Sequence, residues 1–136
     1  MESGLQTLLD LGFEEAGEWL ASGAMLKCSL VRHMEERDIL YAFVSQGQVL
    51  YIGKSVRTLS QRMYQYQKPG PTQRTNIVNH ANIKQVLEQG ETIQIFAFAP
   101  KEQLHYRGIP VNLAAGLENT LIGSLRPAWN RMGLSG

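Results

Sequence analysis

The chain has 136 residues, 43% of them apolar and 18% charged, with a formal net charge of +1. That is enough chain to bury one core and too little for two, in a composition that excludes disorder. No stretch approaches the roughly 20 apolar residues of a membrane span, the first residues lack a basic segment followed by an apolar one, and the lone Cys28 has no internal partner. A cytoplasmic protein is therefore expected, with no membrane association and with Cys28 as a half-buried thiol.

The near-neutral total hides an uneven distribution. Residues 1–38 hold eight acids and three bases, residues 39–87 hold six bases (Lys54, Arg57, Arg62, Lys68, Arg74, Lys84) and no acid, and the remainder holds four of each. A segment without carboxylates suits a polyanion, because each neutralised phosphate releases counterions and a nearby acid would cancel the contact. The plain alternative is a solvated basic face.

In chain order, Leu5, Leu8, Leu9, Gly12, Phe13, Ala16 and Leu20 recur at near-helical spacing. They predict an amphipathic helix broken near Gly12, anchored by Trp19, within an N-terminal helical extension over residues 1–36. A short strand over Met25 to Val31 and an acidic turn over Met34 to Asp38 follow. Ile39 to Val44 and Gln48 to Gly53 form a hairpin around Ser45-Gln46-Gly47. A two-residue loop would put Tyr41 and Tyr51 on opposite faces, whereas a three-residue loop closed by a left-handed Gly47 puts them on the same face; the second is expected.

Thr58-Leu59-Ser60-Gln61 has the form of a capping box and starts a helix to about Gln67, with Leu59 and Met63 inward and Arg62 and Tyr66 four apart. Pro69-Gly70-Pro71 ends it. A second helix is predicted from about Thr75 to Gln89, with Ile83, Val86 and Leu87 inward and Gly90 closing it. Thr92 to Ala99 reads as a strand buried on both faces, and Lys101 to Pro110 as irregular. Asn112 caps a last helix to about Arg126, stopped by Pro127, with Trp129 and Asn130 in the turn beyond. On that helix Glu118 lies between Ala114 and Ile122, beside the row Leu117, Leu121 and Leu125. Such a carboxylate either snorkels to water or is held inward by a cation or a metal.

No single one of these residues is diagnostic. Together, Tyr41, Tyr51, Lys54, Arg62 and Glu118 supply hydroxyls, cations and a metal ligand, the parts of a phosphodiester hydrolase. The stretch LYAFVSQGQVLYIGKSVRTLSQRMYQY resembles the GIY-YIG nuclease signature, with Ile39-Leu40-Tyr41 in place of the first triplet and Tyr51-Ile52-Gly53 matching the second. GLENTLIGSLRPAWNRMG looks like the family's metal-binding glutamate followed by its proline and asparagine. The resemblance covers roughly residues 38–131 and is nearest in size to small phage and restriction endonucleases.

The resemblance implies an α/β (α+β) fold, a small central three-stranded antiparallel sheet flanked by helices, with the nuclease domain over residues 37–136. It implies Mg²⁺ or Mn²⁺ held by Glu118. It makes Tyr41 the general base or water-orienting hydroxyl, with Tyr51 as its partner and Lys54 and Arg62 favouring the phenolate. Arg62 would stabilise the phosphoryl transition state, and Asn130 would tie the last turn to the site. Ile39 replaces the expected glycine, Arg62 stands one residue farther from Gly53 than expected so that Arg57 is its rival, and Tyr66 stands where many members have histidine, whose catalytic work its hydroxyl would do. His33, His80 and His105 share no ligand spacing. Arg57, Lys68, Arg74, Asn76 and Lys84 are the candidate DNA contacts. Double-stranded DNA is the expected partner, and cutting both strands would call for a homodimer. A non-catalytic DNA-binding module of the same fold, and a structure-specific or RNA nuclease, are the alternatives.

Overall fold

A computed structural model describes residues 4–132, with side chains through Asn130; the outermost residues of the expected segments 1–36 and 37–136 lie outside the described residues. The elements are α1 (Gly4–Leu11), β1 (Glu14–Ser22), β2 (Met25–Leu30), β3 (Ile39–Ser45), β4 (Gln48–Ser55), α2 (Leu59–Gln67), α3 (Arg74–Glu88), β5 (Ile93–Phe98), β6 (Leu104–Tyr106), β7 (Ile109–Val111), α4 (Leu113–Leu125) and α5 (Ala128–Met132). No described helix is long and apolar enough to cross a membrane.

The main sheet has five strands in the order β2-β1-β5-β3-β4, not three, and every pairing in it is antiparallel. Of the two extra strands, β2 is the short strand expected over Met25 to Val31, whereas β1 lies in the stretch read as amphipathic helix. Gly12, at a φ of 116°, ends α1 after one short run, a conformation that glycine adopts without steric cost. The chain then enters β1, which pairs with β5 and with β2. A bulge between Glu15 and Gly17 interrupts the two-residue alternation and leaves Ala16 and Trp19 in the same core cluster. Three-residue spacing produced by a bulge mimics a helical period, which is why the sequence pattern pointed the wrong way.

The β3–β4 hairpin reaches the expected result by another route. Ser45 pairs with Gln48 and Val44 with Val49, so the loop is the two-residue Gln46-Gly47, with φ of 52° and 75° as a type I′ turn requires. That register alone would separate the tyrosines. A bulge at Leu50 then shifts the ladder, so that Phe43 pairs with Tyr51 and Tyr41 with Gly53. Both tyrosines thereby point to one face, their ring centroids 6.3 Å apart.

That face carries Tyr41, Phe43, Trp19, Ile93 and Ile95 and packs on Leu59, Met63 and Tyr66 of α2 and Ile83 of α3. The opposite face carries Leu40, Ala42, Val44, Ile52 and Phe96 and packs on Leu8 of α1 and Ala114 and Leu121 of α4. The result is three layers, with β5 in the middle of the sheet buried from both sides as its apolar run implied. The capping box forms as expected: Thr58 Oγ1 accepts from Gln61 N and Gln61 Oε1 accepts from Thr58 N. Lys101 to Pro110 is not irregular: it contains most of a small exposed hairpin, β6–β7, turning at Arg107-Gly108 with φ of 51° and 84°. The Arg-Gly pair supplies the two left-handed residues a tight turn needs.

Candidate active site

Three tyrosines and an arginine meet on the α2 face of the sheet. Tyr41 comes from β3, Tyr51 from β4, and Arg62 and Tyr66 from successive turns of α2, which the Thr58 capping box starts shortly after the end of β4. The Tyr51 ring lies 6.3 Å from both the Tyr41 and Tyr66 rings, and the Tyr41 and Tyr66 hydroxyls are hydrogen-bonded. Tyr41 and Tyr66 are fully buried, and Tyr51 is half-buried. The Tyr41 ring lies directly across Gly53: a Cβ there would stand 2.5 Å from Tyr41 Cζ and Oη. The glycine of the second triplet is therefore required by sterics, since its backbone needs no left-handed turn.

Arg62 is held by four neutral acceptors. Its Nε donates to Tyr41 Oη (3.1 Å), Nη1 to Gln65 Oε1 (2.7 Å) and Asn76 Oδ1 (3.0 Å), and Nη2 to Tyr66 Oη (2.8 Å). A guanidinium has five N–H groups, so one Nη2 hydrogen is left over. The ion pairs among the described residues, His33 with Glu14 and Lys101 with Glu36, do not involve it. Arg62 is thus a half-buried cation whose orientation is fixed while its charge has no carboxylate in contact.

Glu118 projects from α4, on the other side of β4. It is half-buried, and among the described residues its carboxylate makes no hydrogen bond or ion pair. Burial raises its carboxyl above the ordinary value, while the charges of Lys54 and Arg62, close enough to act on it, pull the other way. Burial also pushes the Tyr41 phenol well above its ordinary value, and Arg62 offsets this only in part; Tyr66 moves the same way, first from burial and then from the neighbouring Tyr41. The expected phenolate at Tyr41 is therefore disfavoured in the free protein, because desolvation outweighs the cation.

Asn130 on α5 closes the arrangement from outside. Its Oδ1 accepts from Ile52 N and its Nδ2 donates to Ile52 O, both at 2.8 Å. β4 is an edge strand, and Asn130 supplies at one residue the donor and acceptor that a sixth strand would have supplied.

Of the expected DNA contacts, Arg57, Lys68 and Arg74 are exposed and Lys84 is half-buried. Arg57 does not take the place of Arg62, the arginine that meets the tyrosines. Asn76 is instead buried, with its amide committed to Arg62 and Gln73. Sequence reasoning missed Gln65 and Gln73. The i, i+3 spacing of Gln65 from Arg62 was the available signal for the first. Of the histidines, His33 sits against Glu14, and His80 donates from Nδ1 to the Tyr66 carbonyl. Among the described residues no group of three His, Cys, Asp or Glu side chains converges as a metal cluster.

The fold is one that DNA endonucleases use. Bacteriophage T4 EndoII, solved as an E118A mutant in that protein's own numbering, superposes with a TM-score of 0.72 at 16% identity over 95% of this chain and 99% of that one. The restriction endonuclease HPY188I, in complex with product DNA, superposes with a TM-score of 0.56 at 19% identity over 96% of this chain and 84% of that one. Neither a family description nor a curated protein sequence matches the chain. At these identities the likeness is one of fold.

Proposed function

We propose that the protein is a metal-dependent DNA endonuclease that hydrolyses phosphodiester bonds. The observation that carries this reading is the pairing of two charges: the Arg62 cation, oriented only by neutral groups, and the Glu118 carboxylate, without a hydrogen-bonding partner among the described residues and within reach of the charge of Arg62. A phosphate needs the first and a hard cation needs the second. The two DNA endonucleases of the same fold, one of them solved on DNA, support the assignment of substrate.

The donor set fits a hydrated cation. A single carboxylate with no competing acid suits Mg²⁺ or Mn²⁺, which keep several waters and share the phosphate oxygens of their substrate. Bound there, such an ion would supply electrostatic stabilisation of the phosphate and the leaving oxygen. The chain's own residues do the rest. Arg62 directs its remaining N–H at a non-bridging oxygen and counters the charge that grows on it. Tyr51, the one ring of the three that is not fully buried, orients the attacking water through its hydroxyl. Tyr41 and Tyr66 stay neutral and hold the guanidinium in place. Lys54, beside Glu118, adds positive charge at the phosphate, and Arg57, Lys68, Arg74 and Lys84 bind flanking backbone.

Supercoiled plasmid incubated with Mg²⁺, Mn²⁺ or EDTA tests this directly. Metal-dependent nicking or linearisation, reduced at least about 10²-fold in Arg62→Ala and lost in Glu118→Ala with folding and DNA binding retained, is expected. Intact plasmid with retained binding would move the protein to a non-catalytic module, and cleavage of RNA alone would change the substrate. A linear product made without a nicked intermediate would indicate two copies acting together. Tyr41→Phe separates the roles of the phenols. If wild-type rates climb tenfold per pH unit above neutral and this slope vanishes in Tyr41→Phe, Tyr41 is the general base after all.

A further inference from the structure

We propose that Asn76 is a positioning residue for Arg62 and that, through Gln73, it ties the loop between α2 and α3 to the catalytic guanidinium; this rests on the role of Arg62 proposed above. Asn76 is 6% exposed, so it presents nothing to a groove of DNA. Both ends of its amide are used. Oδ1 accepts from Arg62 Nη1 at 3.0 Å, and Nδ2 donates to Gln73 Oε1 at 3.0 Å. The same Gln73 oxygen accepts from Gly70 N at 3.0 Å. One continuous path therefore runs from the Pro69-Gly70-Pro71 turn through Gln73 and Asn76 to the guanidinium.

The arrangement is specific to its task. Arg62 is fixed from α2 itself by Gln65 and Tyr66 and from β3 by Tyr41, and Asn76 is its one bond to α3. An acidic residue at this position would also orient a guanidinium but would neutralise the charge that a phosphate must meet; a neutral carbonyl oxygen fixes the geometry and leaves the charge in place. Lys68 and Arg74, which bracket the loop, are exposed, so the segment whose backbone Gln73 anchors lies between two candidate phosphate contacts.

Steady-state cleavage of a short duplex with Mg²⁺, compared across variants, reads the effect. Asn76→Ala is expected to lower kcat about tenfold or more, the worth of a hydrogen bond to a charged group, with KM within about twofold of wild type. Because Asn76 is buried and its truncation could unfold the chain, Gln73→Ala, at an exposed position, provides the second measurement. It should lower kcat in the same sense but by less, and Gln73→Glu, which keeps the accepting oxygen, should restore it. A raised KM with unchanged kcat in Asn76→Ala, or Gln73→Ala kinetics equal to wild type, would overturn the proposal.

An independent readout needs no cleavage. ¹⁵N NMR of the Arg62 side chain should show separate Nη1 and Nη2 resonances in the wild-type protein, merged by faster rotation in Asn76→Ala. Separate resonances in both proteins would overturn the positioning role. Wild-type protein that failed to cut DNA would overturn the proposed function alone, leaving this NMR comparison to decide the role of Asn76.

Discussion

The most constrained residue of the site carries no side chain. Gly53 leaves the space into which the Tyr41 ring fits, and a single methyl group would meet that ring at 2.5 Å with strand backbone behind it. Gly53→Ala should therefore shift Tyr41 off Arg62. Thermal melts should show a loss of about 1–3 kcal/mol, the usual cost of overpacking, together with cleavage slowed at least tenfold. Glu118 is constrained in the opposite way, by the lack of a partner among the described residues. Its carboxyl is raised by burial, so the folded state holds its proton to higher pH than the unfolded chain does. Stability then falls as pH rises from the ordinary carboxylate value through the raised one, and stays lowered above it. Glu118→Gln should melt higher than wild type at neutral pH, with the gain vanishing below the unfolded value of 4.5, while Mg²⁺ should stabilise only the wild type. Residues of this kind were legible in advance because tyrosine, arginine and glutamate in that order carry chemical identity. Gln73 and the inward-turned Asn76 were not, and Gln65 offered only its spacing from Arg62, since a neutral amide looks the same in sequence whether it faces solvent or a guanidinium.

At the scale of elements, edge strand β4 depends on what wraps it. Asn130→Ala removes both bonds to the Ile52 peptide and leaves a buried N–H and C=O unpaired, at a cost of about 1–3 kcal/mol for each group left unsatisfied. Denaturant titration should show a lower midpoint at unchanged slope, and hydrogen exchange should quicken at the Ile52 amide ahead of those in β5. The elements built from capping chemistry were readable from sequence, the Thr58 box and the Asn112 cap, as was the β3–β4 hairpin apart from its loop, which has two residues where three were expected. Elements altered by bulges were not. The extra residue near Ala16 turned a strand into an apparent helix, and the one at Leu50 reversed the face that loop length alone would assign. A bulge obeys neither the two-residue nor the 3.6-residue period, so periodicity is silent or misleading at the place it occurs.

For the whole molecule, the segregation of charge is the property that DNA binding should report. Replacing Arg57, Lys68 or Arg74 by Ala should each reduce the slope of log affinity against log salt by about 1, uniformly across DNA sequences, if each neutralises one phosphate. An unchanged slope would remove that residue from the interface. The sheet order has a further consequence. The middle strand, β5, follows both hairpins, β1–β2 and β3–β4, in the chain and pairs with a strand of each; the glutamate and the asparagine of the site come later still. A ribosome that has released the tyrosines and Arg62 has therefore not yet released Glu118 or the clamp on β4. On the function proposed here, a chain that stops before Glu118 lacks the carboxylate that would hold the cation and is expected not to cut DNA.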